Sequence, residues 1–302
     1  MTITLTSLLF CLIISALLTV LAWVMIKNNS VLIIAGKYIY ILLAVIVIWM
    51  LFPIEFDFIP MFFEGNIQTL LEKFLFEKIH VGTYDITVIG VLLFLWTAGV
   101  IYRFAIHAGR YFRFLHMIQK CPNYFKHNTE AVIGRINREY VRTTKFQVLL
   151  LPSIQAPAIF GLIRPKILMP LADYTEEEIY YILKHEMLHY YHHDMPVKIL
   201  CEMLCAVYWW NPAVYLLRKL IARILEIRVD CALTSGFDKE EKIKYLECIL
   251  KSMKEGRQDK TSLMITFAAQ KGDTMKQRFH CIWENQQHGK EPKRTNSIGA
   301  FL

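Results

Sequence analysis

The hydrophobic pattern divides the chain into an apolar first third and a mixed remainder. Residues 3–26 carry no charge and are mostly Leu, Ile, Val, Ala and Phe. At about 1.5 Å rise per residue, such a run crosses a hydrocarbon core of about 30 Å. A second run covers 31–52, interrupted by Lys37 near its start, and a third covers 86–106, with Arg103 near its far end. Each predicts a membrane-spanning helix. A cleaved signal sequence fits the first run less well. It exceeds the usual apolar core of about 7–15 residues, has no basic amino-terminal region and offers no small-residue cleavage site before Lys27.

Beyond 107 the pattern is that of a folded domain. Residues 125–144 predict a basic amphipathic helix, and Phe146 to Leu151 a buried strand. The runs 156–161 and 166–169, punctuated by Pro157, Gly161, Pro165 and Pro170, predict hairpin strands at a sheet edge. Thr175 followed by Glu178 is a capping box and starts a helix. The segment 196–233 reads as a helical hairpin, 196–209 and 213–233, broken at Trp209-Trp210-Asn211-Pro212, because proline disrupts a continuing helix. The tryptophans suit either a membrane interface or buried core packing. The expected fold is mainly α, with three spans and an α+β domain bearing a small edge sheet. The expected division is a membrane domain at 1–106 with an external loop at 53–85, a folded domain at 107–284 and a polar tail at 285–302.

Composition and charge sharpen this picture. The chain is 55% hydrophobic with a mean hydropathy of +0.35, too apolar for an ordinary soluble domain at about 45–50%. The net charge of +8 marks membrane orientation rather than nucleic-acid binding, since the basic residues lie beside apolar segments and not among base-stacking aromatics. Residues 53–85 hold Glu55, Asp57, Glu64, Glu72, Glu77 and Asp85 against two lysines, whereas 103–145 holds nine Lys or Arg against Glu130 and Glu139. By the positive-inside rule the amino terminus and the 53–85 loop lie outside and everything after Arg103 is cytoplasmic. The seven cysteines form no CxxC pair and read as reduced thiols.

Candidate chemistry sits on the helix that Thr175 opens. His185-Glu186-Met187-Leu188-His189 is an HExxH sequence. Four residues advance a helix by about 400°, so both imidazoles project from one face and can share a zinc ion, with Glu186 beside it as a general base. A metzincin would need a glycine and a third histidine where His192 and Met195 stand. A downstream carboxylate is the other common third ligand. Glu226, with Asp230 one turn on, is the best candidate, and Asp230 would then fix the tautomer of a ligand histidine by accepting a hydrogen bond from it. A full membrane crossing by 197–217 would separate Glu226 from the histidines, which again favours the hairpin. His192 and His193 fit the turn after the motif better than the metal. Cys201 and Cys205 read as packing residues.

The ordered set of three spans, Gln155 to Gly161, Arg164-Pro165, His185 to Asp194, Trp210-Asn211-Pro212, and Glu226 to Asp230 resembles the BlaR/MecR-type membrane metallopeptidases, the β-lactam-sensing signal transducers. The resemblance implies a gluzincin-like cytoplasmic protease with zinc on His185, His189 and Glu226, Glu186 as base, and Asp194 placed with Asp230 behind the ligands. It also implies cleavage of a cytosolic protein that relieves transcriptional repression, without direct contact to nucleic acid. Typical members carry a penicillin-binding sensor. Here no Ser-x-x-Lys occurs: Ser7, Ser15 and Ser30 are followed at the third position by Phe10, Leu18 and Ile33, and the later serines lack the lysine too, so the expectation is either a truncated chain or a member whose signal comes from a separate sensor protein or a homodimer. An extended substrate is expected along the edge strand containing Pro157, Phe160 and Gly161, with self-cleavage at Thr266-Phe267. The alternatives are a quality-control or prenyl-protein-processing protease and a non-catalytic zinc-containing signalling scaffold.

Overall fold

The computed structural model describes residues 5–27, 29–51, 70, 73–81, 84–120, 129–154, 156–255 and 272–284. They are mostly helical. In chain order the elements are α1 (Leu5–Lys27), α2 (Asn29–Leu51), β1 (Lys78–Val81), β2 (Tyr84–Thr87), α3 (Val88–Gln119), α4 (Thr129–Glu139), β3 (Gln147–Leu150), β4 (Ala158–Phe160) and β5 (Lys166–Met169). They continue with α5 (Glu176–Tyr191), α6 (Asp194–Val207), α7 (Pro212–Thr234), α8 (Lys239–Glu255) and α9 (Gly272–Glu284).

Two compact units share the chain. One takes 1–27, 38–113 and 200–220; the other takes 28–37, 114–199 and 221–302. In the first, α1 buries Ser15, Thr19, Ala22 and Ile26 and α2 buries Ile39, Leu43, Ile46, Val47 and Met50. These spacings of three and four place each set on one helix face. Their other faces expose large apolar side chains, among them Leu17, Leu21, Val45 and Ile48. Among the described residues α3 alone is long and apolar enough to cross a membrane, and nothing in its most apolar stretch is buried. It does not stop at 106. It runs for 32 residues, about 48 Å, because no proline interrupts the chain before Pro122 and a helix need not end where its apolar residues do.

The hairpin expected over 196–233 is present as α6 and α7. Its break runs through Tyr208 to Asn211, where the Asn211 side chain accepts the Ala213 amide at 2.9 Å and Pro212 takes the first helical position, which needs no amide hydrogen. The tip belongs to the first unit. Trp96 Nε1 donates to the Val207 carbonyl at 3.0 Å, Tyr208 Oη donates to the Met50 carbonyl at 2.8 Å, and Arg103 reaches Tyr215 Oη at 3.0 Å. Gly99 has no side chain because the Trp209 ring lies against it.

The second unit is built around α5. Buried Ile179, Ile182, Leu183, Met187, Leu188 and Tyr191 pack with Ile133 and Ile136 of α4, Val148, Ile167 and Met169 of the sheet, Val229 and Leu233 of α7, Tyr245 of α8 and Ile282 of α9. The sheet has the order β3-β5-β4, with β5 parallel to β3 and antiparallel to β4. So 158–160 forms an edge, as its prolines predict. The helix expected over 125–144 spans Thr129 to Glu139, and 121–128 lie outside the described residues.

Candidate metal centre

Helix α5 is fixed at its start by the capping box. Thr175 Oγ1 accepts the Glu178 amide at 3.2 Å and Glu178 Oε2 accepts the Thr175 amide at 2.7 Å, while Lys251 of α8 donates to the same carboxylate at 2.8 Å. Burial alone would raise the Glu178 carboxyl, but these donors outweigh it and hold it below its ordinary range. The helix ends at His192, whose amide returns to the Leu188 carbonyl at 2.9 Å. Between these ends His185 and His189 lie one turn apart, with their Nε2 atoms 3.1 Å from each other.

Helix α7 brings Glu226 to the same point. Its Oε2 is 3.5 Å from His185 Nε2 and its Oε1 3.5 Å from His189 Nε2. One donor atom from each of the three residues lies within 4.8 Å of the others. The outer nitrogens of both rings are taken. His189 Nδ1 meets Asp194 Oδ2 at 2.6 Å, and Asp194 is fully buried and paired with Arg228. His185 Nδ1 meets Tyr245 Oη at 2.9 Å, and Tyr245 donates to Asp230 Oδ1 at 2.7 Å. Asp230 is in turn gripped by Arg278 of α9, from Nε at 2.5 Å and Nη2 at 2.8 Å.

These contacts test the fit of a cation. Carboxylates behind the rings favour a proton on each Nδ1 and leave both Nε2 lone pairs facing Glu226. Three acceptors then converge where only a positive charge relieves their repulsion. Protons respond to the same field. Burial opposes a charge on His189, but the Glu226 carboxylate, with Asp194 behind it, outweighs burial and pushes the imidazole up to about 9. Burial would likewise raise Glu226, yet the neighbouring imidazoles hold it well below the ordinary carboxylate range. Two imidazoles and a carboxylate are the donor set of His₂Glu zinc sites, so the residues present fit that ion.

Glu186 is largely buried, and its carboxylate makes no hydrogen bond or ion pair among the described residues. His192 stands apart from the cluster. Its Nδ1 is buried without a partner among the described residues, and burial, with the Arg228 charge nearby, lowers it to about 4. Phe160, on the edge strand, stacks edge-on against Phe114 at 5.1 Å. Gly161 has φ +97°, and a Cβ there would meet the Arg164 carbonyl at 2.7 Å, so this glycine is required by the turn between β4 and β5. Tyr190 of α5 ties the same turn down through the Leu162 carbonyl at 3.0 Å. Thr266 and Phe267 lie outside the described residues.

A profile of the BlaR1 peptidase M56 family matches residues 7–282. The chain belongs to this family. Among curated relatives it is similar to the regulatory protein BlaR1 of Bacillus licheniformis, with 37% identity over 102 residues. It is also similar to the methicillin resistance mecR1 proteins of Staphylococcus aureus and Staphylococcus epidermidis, with 30% identity over 102 residues. Each match covers 33% of this chain and 17% of the relative, so the chain spans about a sixth of the length of the curated relatives it matches.

Four residues around the cluster were not expected from the sequence: Tyr245, Arg278, Arg228 and Lys198, whose Nζ is 3.7 Å from Glu226 Oε1. Arg228 sits between Glu226 and Asp230 in sequence, where it reads as an exposed face of α7. The other three lie on other helices and show no spacing that links them to HExxH.

Proposed function

We propose that this chain is a membrane-embedded zinc endopeptidase that cleaves a cytosolic protein, a transcriptional repressor, in signalling of the antibiotic-resistance type. The observation that carries this reading is the convergence of His185, His189 and Glu226 with both outer ring nitrogens held by carboxylate-backed partners. Membership of a peptidase family and the regulatory and resistance names of the relatives supply the biological class.

In this reading His185, His189 and Glu226 hold zinc. When bound, zinc polarises a peptide carbonyl and acidifies water. The Glu186 carboxylate, which makes no hydrogen bond or ion pair among the described residues, takes a proton from the attacking water and returns it to the amide nitrogen that leaves. Asp194 keeps His189, and Asp230 keeps His185, in the tautomer that presents Nε2. The substrate lies extended beside β4, where the edge can pair with its backbone. We read 3–26, 31–52 and 86–106 as spans that leave the amino terminus outside and the zinc site in the cytoplasm, with a separate sensor protein or a second copy of the chain as the candidate partner that brings the signal across the membrane. Self-cleavage at Thr266-Phe267 is part of the same reading.

Metal analysis of the detergent-purified chain, followed by incubation with co-expressed cytosolic proteins, tests it. About one equivalent of zinc and a fragment formed by wild type but not by Glu186→Ala are expected. A metal-free protein, or identical fragments from both, would overturn the reading.

A further inference from the structure

We propose that Arg278 is a positioning residue of the metal centre, acting on His185 through Asp230 and Tyr245. The inference rests on the metal-site reading above and assigns it a determinant on a helix that carries no ligand.

Asp230 is fully buried. A carboxylate offers about four lone-pair directions. Tyr245 Oη takes one at 2.7 Å, and the Arg278 guanidinium takes both oxygens, Nε on Oδ2 at 2.5 Å and Nη2 on Oδ1 at 2.8 Å. Such a two-pronged grip fixes the plane of the carboxylate, which a single ammonium cannot do. With the plane fixed, Tyr245 has one direction in which to donate. Its oxygen is then left to accept from His185 Nδ1 at 2.9 Å, and the ring is held with Nε2 turned inward. The Asp230 oxygen itself lies 3.4 Å from the same Nδ1, so the tyrosine is the tighter link.

The same guanidinium meets the second acid of α7. Arg278 Nη1 is 3.8 Å from Glu226 Oε2, so one cation spans the two carboxylates that stand one turn apart. The Arg278 side chain is only 11% exposed, and Gln277, Cys281 and Ile282 of the same helix are buried, which anchors α9 in the domain. Two effects of opposite sign follow from this placement. Orientation of His185 and Glu226 strengthens metal binding, by about 10–100-fold for groups of this kind. Repulsion between Arg278 and a bound cation weakens it. The charge of Arg278 is already spent on Asp230, which lies closer to it than Glu226 does, and the orienting effect therefore dominates.

Zinc affinity of the full-length chain in detergent, measured by competition with a chelator, tests the proposal in R278Q, R278K and Y245F. Wild type is expected to bind one zinc. R278Q should bind it about 10–100-fold more weakly and Y245F about tenfold more weakly, with R278K in between because lysine keeps the charge and loses the fork. In a D230N background R278Q should add little, since both changes cut one path. Wild-type or tighter affinity in R278Q and Y245F would overturn the proposal while leaving the zinc site standing, whereas a wild type without zinc would overturn the site itself. If circular dichroism finds R278Q unfolded, Y245F decides, because it leaves the Arg278–Asp230 grip intact.

Discussion

His189 and Asp194 are five residues apart across the end of α5, and they meet Nδ1 to Oδ2 at 2.6 Å with the aspartate fully buried against Arg228. The pair joins two tasks. In the proposed zinc site it sets the tautomer of the His189 imidazole, and it pairs with an arginine inside the domain. Removing Asp194 would affect both.

Asp194→Ala is therefore expected to lower zinc affinity by about 10–100-fold and to destabilise the fold by about 3 kcal/mol, because the partly buried Arg228 loses its carboxylate partner. Chelator competition and thermal unfolding of the metal-free protein read the two effects separately. Asp194→Asn should soften the second effect. A variant with ordinary zinc affinity would show that His189 is oriented by something else.

Ligands and base separate in a different way. Glu226→Ala should lose zinc, whereas Glu186→Gln should retain it and lose peptidase activity by about 100-fold or more, since it removes a proton acceptor and no donor atom to the metal. Zinc content and turnover measured on the same preparations distinguish them. Full zinc occupancy in Glu226→Ala would remove that residue from the donor set.

What the sequence makes legible here is local. The capping box, the HExxH face and the break before Pro212 each depend on residues within a few positions, and helix geometry carries them directly into space. Glu226 and Asp230 are legible only because an incomplete zinc site asks for a carboxylate and their spacing of four supplies two on one face. Arg278 and Tyr245 are silent in the sequence. They approach Asp230 from α9 and α8 through tertiary packing, at separations of 48 and 15 residues, which no periodicity encodes. The continuation of α3 past 106 is hidden for the opposite reason. A change from apolar to basic residues reports the surroundings of a helix, not its end.

The cap of α5 predicts a pH dependence. Glu178 is held below its ordinary value by Lys251 and the Thr175 amide, against the opposing effect of burial. A depressed folded-state value stabilises the fold above the unfolded-state value of about 4.3, and this contribution is lost as pH falls through the folded value. Glu178→Gln should cost about 1 kcal/mol at neutral pH, and the difference from wild type should shrink in acid. Urea unfolding of both proteins at several pH values measures it. A difference that stays constant with pH would mean that the cap works without its charge.

The edge strand calls for a probe that leaves the protein unchanged. Gly161→Val is the direct way to block β4, but Gly161 sits at φ +97° with the Arg164 carbonyl where a Cβ would go. A side chain there strains the turn at a cost of about 1–3 kcal/mol, and lost activity would report a distorted α5 anchor through Tyr190 and Leu162 as readily as a lost substrate contact. Methylation of substrate backbone nitrogens avoids this difficulty. Each methyl group removes one donor from a strand that must pair with β4 and leaves the side chains in place. If the substrate is held by strand addition, methylation at alternate residues should cut turnover by about tenfold per lost bond, the equivalent of about 1.4 kcal/mol. Methylation at the intervening residues, whose amides face away from the edge, should do little. An alternating pattern of sensitive and tolerant positions is the expected result from a peptide series assayed against the zinc-loaded enzyme. Uniform tolerance would mean that the substrate reaches the metal without pairing to β4.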